Sequence, residues 1–405
     1  MSIEVVSIGD ELLAGRTLNT NLVTAGKMLA EIGLGIDRET CVPDSRETVA
    51  GAVRSALERG ALVLTIGGLG PTRDDLSRAA IADALALPYA FSPEAEAHSR
   101  QALESRGKEI SPGQLDAQSH TAAGAEILAN SAGVAPGLWC TNGTRAVGML
   151  PGPPREFGAV MRERIVPRLQ ALFAANSATR ELKVFDVGEP EVEQRVLAVL
   201  ADFPQVSPAY CVSYGATAVR VTATACSSQL SLAFAAIMAE FAEFAIEGDL
   251  AECVVAKLRV RGARLGVAES CTGGGIGSAI TARPGVSDVF SGGMITYSNA
   301  FKHQLLGVPE ATLDTHGAVS AETAEAMVRG LCGRLDLEAG IAVTGIAGPG
   351  GGSDKKPVGL VFIATQVHND VRVLERRLGG DRETVQKRTV SLALNQLRIQ
   401  LTTGD

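Results

Sequence analysis

A strand-like segment late in the chain runs directly into hydroxyl and thiol side chains. Residues 266–269 are followed by Ser270, Cys271 and Thr272, and then by three glycines. Backbone N–H groups at the start of a helix activate a nucleophile and stabilise an oxyanion. The pattern therefore favours acyl-transfer chemistry. Ser270 is one candidate nucleophile, and Cys271 is the other, because a helix N-terminus activates a thiolate.

Groups that move protons or hold an anion follow the next predicted strands. Tyr297 and Lys302 come after one strand, and burial can lower the pKa of a lysine enough to make it a base. Thr344 ends another strand, and a glycine-rich loop at 345–353 follows it. Arg382 begins the last predicted helix, where its guanidinium can form a bidentate pair with a phosphate.

Acidic side chains in the amino-terminal part follow three predicted strands: Asp10, Asp44, Asp74 and Asp75. The third strand leads into a turn whose backbone N–H groups would face a phosphate, formed by Gly67, Gly68, Gly70 and Thr72. Carboxylate oxygens suit Mg²⁺ or Mn²⁺, which would bridge to the phosphate. Alternatively, the last two aspartates only complement the dipole of the following helix. The coincidence of three acidic strand ends favours a site.

Strand and helix patterns alternate at the start of the chain. Apolar-rich runs at 3–8 and 61–66 are typical of strands buried in a parallel sheet, and a short strand is predicted between them, near 35–42. Apolar residues recur at helical spacing at 22–32 and 45–59. This βαβαβ order predicts a doubly wound α/β domain, in which ligands bind at the carboxyl ends of the strands.

The chain is predicted to be an α/β protein of three domains. A stretch of small and polar residues at 174–179 reads as a linker, and Gly248-Asp249 reads as a second boundary. The predicted domains are a doubly wound domain at 1–174, a small α+β module at 175–248 and an α/β domain at 249–405. The last domain has strands near 264–268, 291–297, 340–344 and 358–366.

Composition restricts the partners and the compartment. The 37 basic and 45 acidic residues give a net charge of −8, and aromatic residues make up 4%. Direct nucleic-acid binding is not expected, because it needs a basic excess or stacking aromatics. Seven cysteines without a C-x-x-C pair indicate a reducing compartment. With no signal-peptide pattern and no long apolar run, we expect a cytoplasmic protein without a membrane segment.

Three motifs of the first domain resemble the molybdopterin-binding-like domain of the competence/damage-inducible CinA family. They are Gly-Asp-Glu-Leu-Leu at 9–13, Gly-Gly-Leu-Gly-Pro-Thr-x-Asp-Asp at 67–75 and Leu-Pro-Gly-x-Pro-Arg-Glu at 150–156. The resemblance implies a metal-dependent ADP-ribose pyrophosphatase. The aspartate of related molybdopterin proteins matches Asp75 best. The sequence departs from the usual pattern at Arg73 and Ser77, where proline and threonine are more common.

Residues 250–405 resemble the carboxyl-terminal CinA domain, the nicotinamide mononucleotide (NMN) amidohydrolase family. The resemblance implies hydrolysis of the NMN carboxamide to nicotinate mononucleotide and ammonia, without a metal. It implies Ser270 as nucleophile rather than Cys271, Tyr297 and Lys302 as the proton-handling pair, and assistance from Thr344. The residues expected to bind substrate are Thr272, Gly273, Gly274, Asn299, Gly345, Gly348 and Arg382.

Two other functions stay open from the sequence. The family name suggests a non-catalytic partner in DNA uptake or the damage response, and the first domain alternatively binds a molybdopterin-type ligand. As an enzyme, the chain is expected to act on the nucleotides NMN and ADP-ribose, with a divalent metal needed only by the first domain. It is also expected to form a homodimer.

Overall fold

A computed structural model gives the fold and describes residues 2–72, 74–107, 112–173, 177–224 and 227–403. The chain divides into two compact units. The amino-terminal unit is Met1–Thr179 with Thr222–Leu230, and the carboxyl-terminal unit is Arg180–Val221 with Ser231–Asp405. None of the described helices is both long enough and apolar enough to cross a membrane.

The amino-terminal unit alternates strands and helices. Its elements are β1 (Ile3–Ile8), α1 (Asp10–Leu13), α2 (Thr20–Glu31), β2 (Arg38–Val42), α3 (Arg46–Glu58), β3 (Leu62–Ile66), α4 (Ser77–Ala84), β4 (Tyr89–Phe91), α5 (Pro93–Glu104), α6 (Pro112–Ser119), β5 (His120–Ala122), β6 (Glu126–Leu128), β7 (Gly137–Asn142), β8 (Arg145–Leu150), α7 (Pro154–Val160) and, after a π-helical turn at Met161–Ile165, α8 (Val166–Phe173). The main sheet has the order β2-β1-β3-β8-β7-β6, in which the first four strands are parallel.

Local sequence explains why these elements form. Every residue of β1 and β3 is buried, as expected of central parallel strands covered on both faces. Ser45 accepts a hydrogen bond from the Thr48 N–H and caps α3, and Asn19 caps α2 through the Leu22 N–H. Apolar residues of α3 and α4 pack on one face of the sheet, and those of α2 and α7 pack on the other. The unit is therefore doubly wound, as the sequence predicts.

A four-stranded sheet with the order β10-β11-β9-β12 follows. Its elements are β9 (Ser177–Phe185), α9 (Glu189–Leu200), β10 (Val206–Ser213), β11 (Ala216–Thr224), α10 (Ser227–Phe241) and β12 (Ala245–Glu247), with a 3₁₀ turn at Ala242–Phe244. The predicted linker at 174–179 is wrong at 177–179, because these residues start β9; residues 174–176 lie outside the described part. The division into three domains stays a prediction.

The last part of the chain forms a five-stranded sheet with the order β14-β13-β15-β16-β17. Its elements are α11 (Leu250–Arg261), β13 (Leu265–Glu269), α12 (Gly275–Thr281), β14 (Phe290–Ile295), α13 (Asn299–Leu306), α14 (Glu310–His316), α15 (Ala321–Leu335), β15 (Ala339–Gly345), β16 (Leu360–Val367), β17 (Asp370–Arg377) and α16 (Arg382–Thr403). Strands β14, β13 and β15 are parallel, and β16 and β17 are antiparallel.

Helices cover both faces of this sheet as well. Apolar residues of α11, α12 and α16 form the core on one face, and those of α13, α14 and α15 form it on the other. The predicted α/β class is confirmed here, and the four predicted strands occur close to their expected positions. Strand β17 has no counterpart among the predicted strands.

Candidate active site

Three strand ends meet at the carboxyl edge of the second sheet. The parallel register pairs Glu269 of β13 with Ile295 of β14 and with Val343 of β15. Ser270 and Thr344 therefore lie at the same edge. The chain passes from β13 to β14 on one side and returns to β15 on the other, which places Ser270 at a topological switch point, where open α/β sheets bind ligands.

Ser270 and Lys302 form a buried pair at this edge. Lys302 Nζ lies 3.1 Å from Ser270 Oγ, and it also donates to the carbonyl oxygens of Thr296 at 2.9 Å and Tyr297 at 3.4 Å. The Lys302 side chain reaches Ser270 because α13 begins three residues earlier, capped by Ser298 through the Phe301 N–H. Both members of the pair are buried, with 1% of Lys302 and 7% of Ser270 exposed.

The surroundings of Lys302 favour its neutral form. Burial lowers the pKa of this lysine, and the neighbouring Cys271 opposes the shift only as the smaller effect. A neutral amine has two N–H donors and one lone pair. The carbonyl oxygens of Thr296 and Tyr297 can take the two N–H groups, which leaves the lone pair for the Ser270 hydroxyl proton. The geometry thus supports a serine activated by a lysine base.

Glu269 fixes the turn that carries Ser270. Its carboxylate is 1% exposed and accepts the N–H groups of Gly274, Ile276 and Gly277 at 2.9 to 3.1 Å. These donors belong to the start of α12, where helices leave N–H groups unpaired and favour a negative charge. The sequence pattern by itself predicts no role for Glu269. The signal was present, since a carboxylate stands directly before a glycine-rich helix start.

Ser270 opens into a cleft of about 230 Å³. Lys302, Thr344, Gly345, Gly348 and Arg382 also line it, so the structure brings these predicted residues together. The Thr344 hydroxyl donates to the Ala318 carbonyl at 2.6 Å, which orients it within the cleft wall.

Arg382 joins the two sides of the cleft. Its guanidinium donates to the Gly348 carbonyl at 2.9 Å and to the Tyr297 hydroxyl at 3.1 Å. Tyr297 itself is 60% exposed and meets Lys302 only through its backbone carbonyl. The tyrosine hydroxyl is therefore placed at the mouth of the cleft with Arg382, rather than beside the lysine amine.

Four residues expected to bind substrate do not line the cleft: Thr272, Gly273, Gly274 and Asn299. Thr272 lines a different cavity, and the Gly274 N–H is bound to Glu269. Asn299 is an exposed residue in the first turn of α13. Sequence spacing alone cannot tell which side of a turn its residues face.

Cys271, the rival nucleophile, does line the cleft, but its thiol is 4% exposed. Burial raises the pKa of Cys271 to about 12, and a backbone hydrogen bond and the positive charge of Arg382 offset this only in part. A reactive cysteine needs an accessible thiolate. The structure therefore favours the Ser270 hydroxyl over this thiol.

The predicted acidic site of the amino-terminal unit lies at the carboxyl edge of β1 and β3. Gly67 approaches Ile8 so closely there that a Cβ atom would lie 2.6 Å from the Ile8 carbonyl oxygen. Asp44 accepts the Asp10 N–H at 2.9 Å, and burial raises its pKa, which the charges of Asp10, Glu11 and Asp74 raise further.

Asp10, Asp44 and Asp74 lie close enough for their charges to interact, but the four predicted ligands do not form a metal-binding group as placed. Asp75 turns back on its own loop and accepts the Thr72 N–H at 2.8 Å and the Thr72 hydroxyl at 2.5 Å. Among the described residues, no group of three or more histidine, cysteine, aspartate or glutamate side chains is placed to hold a metal ion. As placed, Asp10, Asp44, Asp74 and Asp75 do not fit a divalent cation.

Comparison with known proteins identifies both halves of the chain. The model of the CinA C-terminal domain matches residues 247–401, and that of a probable molybdopterin binding domain matches residues 4–171. A competence-damage inducible protein of Moorella thermoacetica is 37% identical over 405 residues, covering 97% of each chain. The chain belongs to the CinA family. A CinA-like protein of Synechococcus sp. is 39% identical and covers 98% of each chain.

Solved CinA structures resemble part of the chain. A competence/damage inducible protein from Agrobacterium tumefaciens is 42% identical, covers 39% of this chain and 98% of its own, and has a TM-score of 0.37. A CinA protein of unknown function from Thermoplasma acidophilum is 31% identical, covers 41% of this chain and 99% of its own, and has a TM-score of 0.38. The predicted family is confirmed by the family models and by the relatives that match nearly the whole chain.

Proposed function

We propose that this CinA-family chain is an amidohydrolase that converts NMN and water to nicotinate mononucleotide and ammonia. The observation that carries the proposal is the buried pair of Ser270 and Lys302, in which Lys302 Nζ lies 3.1 Å from Ser270 Oγ. Among the described residues, the other hydrogen-bond partners of this amine are backbone carbonyl oxygens and not a carboxylate. The choice of NMN rests on the resemblance of residues 250–405 to the NMN amidohydrolase family.

In the first half of the reaction, Ser270 Oγ attacks the carboxamide carbon. Neutral Lys302 accepts the hydroxyl proton as the C–O bond forms, and the carbonyl electrons move to the oxygen. When the tetrahedral intermediate collapses, the C–N bond breaks and the amine nitrogen takes the proton from Lys302, leaving as ammonia. An ester between Ser270 and the nicotinyl group remains, as in other serine acyl transfer.

In the second half, water attacks this ester. Lys302 accepts a proton from the water, and Ser270 Oγ leaves as the C–O bond breaks and recovers its proton from Lys302. The products are nicotinate mononucleotide and the original enzyme. Arg382, at the mouth of the cleft, offers N–H donors and a positive charge to the substrate phosphate, and the glycine-rich loop from Gly345 offers close backbone approach.

The amino-terminal unit supports no equally specific step. ADP-ribose hydrolysis with Mg²⁺ or Mn²⁺ stays a prediction of the family resemblance, and so does a molybdopterin-type ligand. Because the described aspartates do not form a metal site as placed, we derive no metal-dependent reaction there. Homodimer formation and a role in competence or DNA damage also remain predictions.

One experiment tests the proposed function. The full chain is incubated separately with NMN and with ADP-ribose, with and without Mg²⁺, and products are resolved by chromatography while ammonia is measured. We expect equal amounts of ammonia and nicotinate mononucleotide from NMN, unchanged by a chelator. Full-length, folded protein that releases no ammonia from NMN would refute the amidohydrolase.

A further inference from the structure

The carboxyl-terminal unit contains a second cavity, of about 450 Å³, which we name the α16 cavity. It lies between α12, α16, the start of α11 and the turn that joins β10 to β11. No described residue lines both this cavity and the cleft of Ser270. Its size falls within the range of small-molecule sites, roughly 300–1,000 Å³.

The walls of the α16 cavity are mainly apolar, with a few polar groups. Leu250, Ala279 and Val390 supply aliphatic surface, and Tyr214 supplies an aromatic ring that is 45% exposed. Thr272 also lines the cavity and is 6% exposed, and its hydroxyl oxygen has no hydrogen-bond partner among the described residues. The wall of the cavity therefore contains an unpaired buried hydroxyl, which costs free energy.

The charged groups of the cavity are already paired with one another. Arg283 donates to Asp249 through two nitrogens, at 2.5 and 3.1 Å. Lys387 lies 2.5 Å from Glu383, and its amine stands 4.6 Å from the centre of the Tyr214 ring. A charged ligand would compete with these pairs for the same groups, whereas an uncharged one would not. A flat aromatic ligand would complement the ring of Tyr214 in the cavity wall.

We propose that the α16 cavity binds a small uncharged aromatic heterocycle of the nucleobase or pyridine-carboxamide class. The cavity also adjoins the catalytic turn, because Gln386 in its wall donates to the Cys271 carbonyl at 2.8 Å. Binding in this cavity does not depend on the proposed reaction, so the two ideas can fail separately.

Adenine is the first probe, because it is uncharged and lacks the carboxamide of the proposed substrate. Isothermal titration with the full chain is expected to give a Kd of roughly 0.1–1 mM, an ordinary affinity for about ten non-hydrogen atoms. Two variants test the site: Ala279→Phe fills it, and Tyr214→Ala removes its aromatic wall. Each is expected to weaken adenine binding at least about tenfold.

Tyr89→Ala is the matched control, since Tyr89 is a similarly exposed tyrosine, at 42%, in the amino-terminal unit. It is expected to leave adenine binding unchanged.

Circular dichroism verifies that each variant is folded, and Tyr214→Ala keeps the test valid if Ala279→Phe does not fold. In Ser270→Ala, which prevents turnover, excess NMN is expected not to displace adenine. Three results would overturn the proposal. They are displacement of adenine by NMN, binding of adenine by both cavity variants as tightly as by the unsubstituted chain, and no binding of adenine or nicotinamide at about 5 mM.

Discussion

Replacing Lys302 by methionine separates chemistry from packing. Methionine keeps the buried, unbranched shape but has neither a lone pair nor N–H donors. Positioned general bases contribute about 10²–10⁴-fold. Because Lys302 also orients Ser270, we expect kcat for NMN deamidation to fall by at least about 10³-fold, or about 4 kcal/mol in the barrier.

The same substitution is expected to change stability much less. It leaves the Thr296 and Tyr297 carbonyl oxygens and Ser270 Oγ without the amine, and an unsatisfied buried group costs about 1–3 kcal/mol. The opposing effect is removal of a buried amine. Since burial lowers the pKa of Lys302, the folded state binds this proton less tightly than the unfolded chain, and the lysine destabilises the fold at every pH below its ordinary pKa. We expect a net loss below about 3 kcal/mol.

Ammonia release and urea unfolding measure the two effects on the same protein. In the unsubstituted chain, kcat/KM is expected to rise with pH through an apparent pKa below that of an ordinary lysine, because only the neutral amine accepts the Ser270 proton. A folded Lys302→Met variant that keeps more than about a tenth of the activity would refute the lysine base. A profile that falls as pH rises through that range would do the same.

Three further substitutions test separate parts of the structure. Cys271→Ala should change kcat less than about tenfold, because its buried thiol does not ionise near neutral pH; ammonia release decides this. Glu269→Gln should lower stability by about 1–3 kcal/mol in urea unfolding and reduce kcat, since it puts an N–H₂ group among three N–H donors. Glu338→Gln is the control: Glu338 accepts the Arg264 N–H and lies 3.7 Å from the Arg264 guanidinium, so its substitution should cost less stability and leave kcat unchanged. Equal effects of the two substitutions would contradict the positioning role of Glu269. Gly67 has a φ of +107° and lies close to a carbonyl oxygen, so Gly67→Ala should destabilise the amino-terminal unit by more than about 2 kcal/mol but leave NMN deamidation unchanged. Gly60 has open space around its Cα, so Gly60→Ala should cost only about 1 kcal/mol. Thermal unfolding compares the two variants.

Periodicity and turn residues predicted most of the fold. The bounds of β1 match the predicted 3–8, and β3 lies within the predicted 61–66, because apolar runs between turn residues leave little choice. Strand β17 was missed because only its inner side is covered. Its exposed residues alternate with partly buried ones at the edge of the sheet, and the charges of Arg376 and Arg377 conceal a strand pattern.

The active-site pair lies beyond what spacing can predict. Ser270 and Lys302 are separated by 32 positions and meet only because β13 and β14 are parallel in one register and α13 turns inward after them. The family resemblance, rather than periodicity, indicated this pair. Asp75 could not be predicted for a different reason. Its carboxylate accepts hydrogen bonds from Thr72 in the same loop, and residue types alone do not determine whether such a side chain turns toward its own loop or toward a ligand.

Direct detection of the acyl-enzyme tests the Ser270 mechanism. The full chain is mixed with NMN, quenched with acid within milliseconds to seconds, digested and mapped by mass spectrometry. The peptide that contains Ser270 is expected to gain the mass of nicotinate mononucleotide less one water, with fragmentation placing the ester on Ser270, and Ser270→Ala should show neither adduct nor ammonia release. An adduct on Cys271, or turnover of NMN by Ser270→Ala at the unsubstituted rate, would contradict the mechanism.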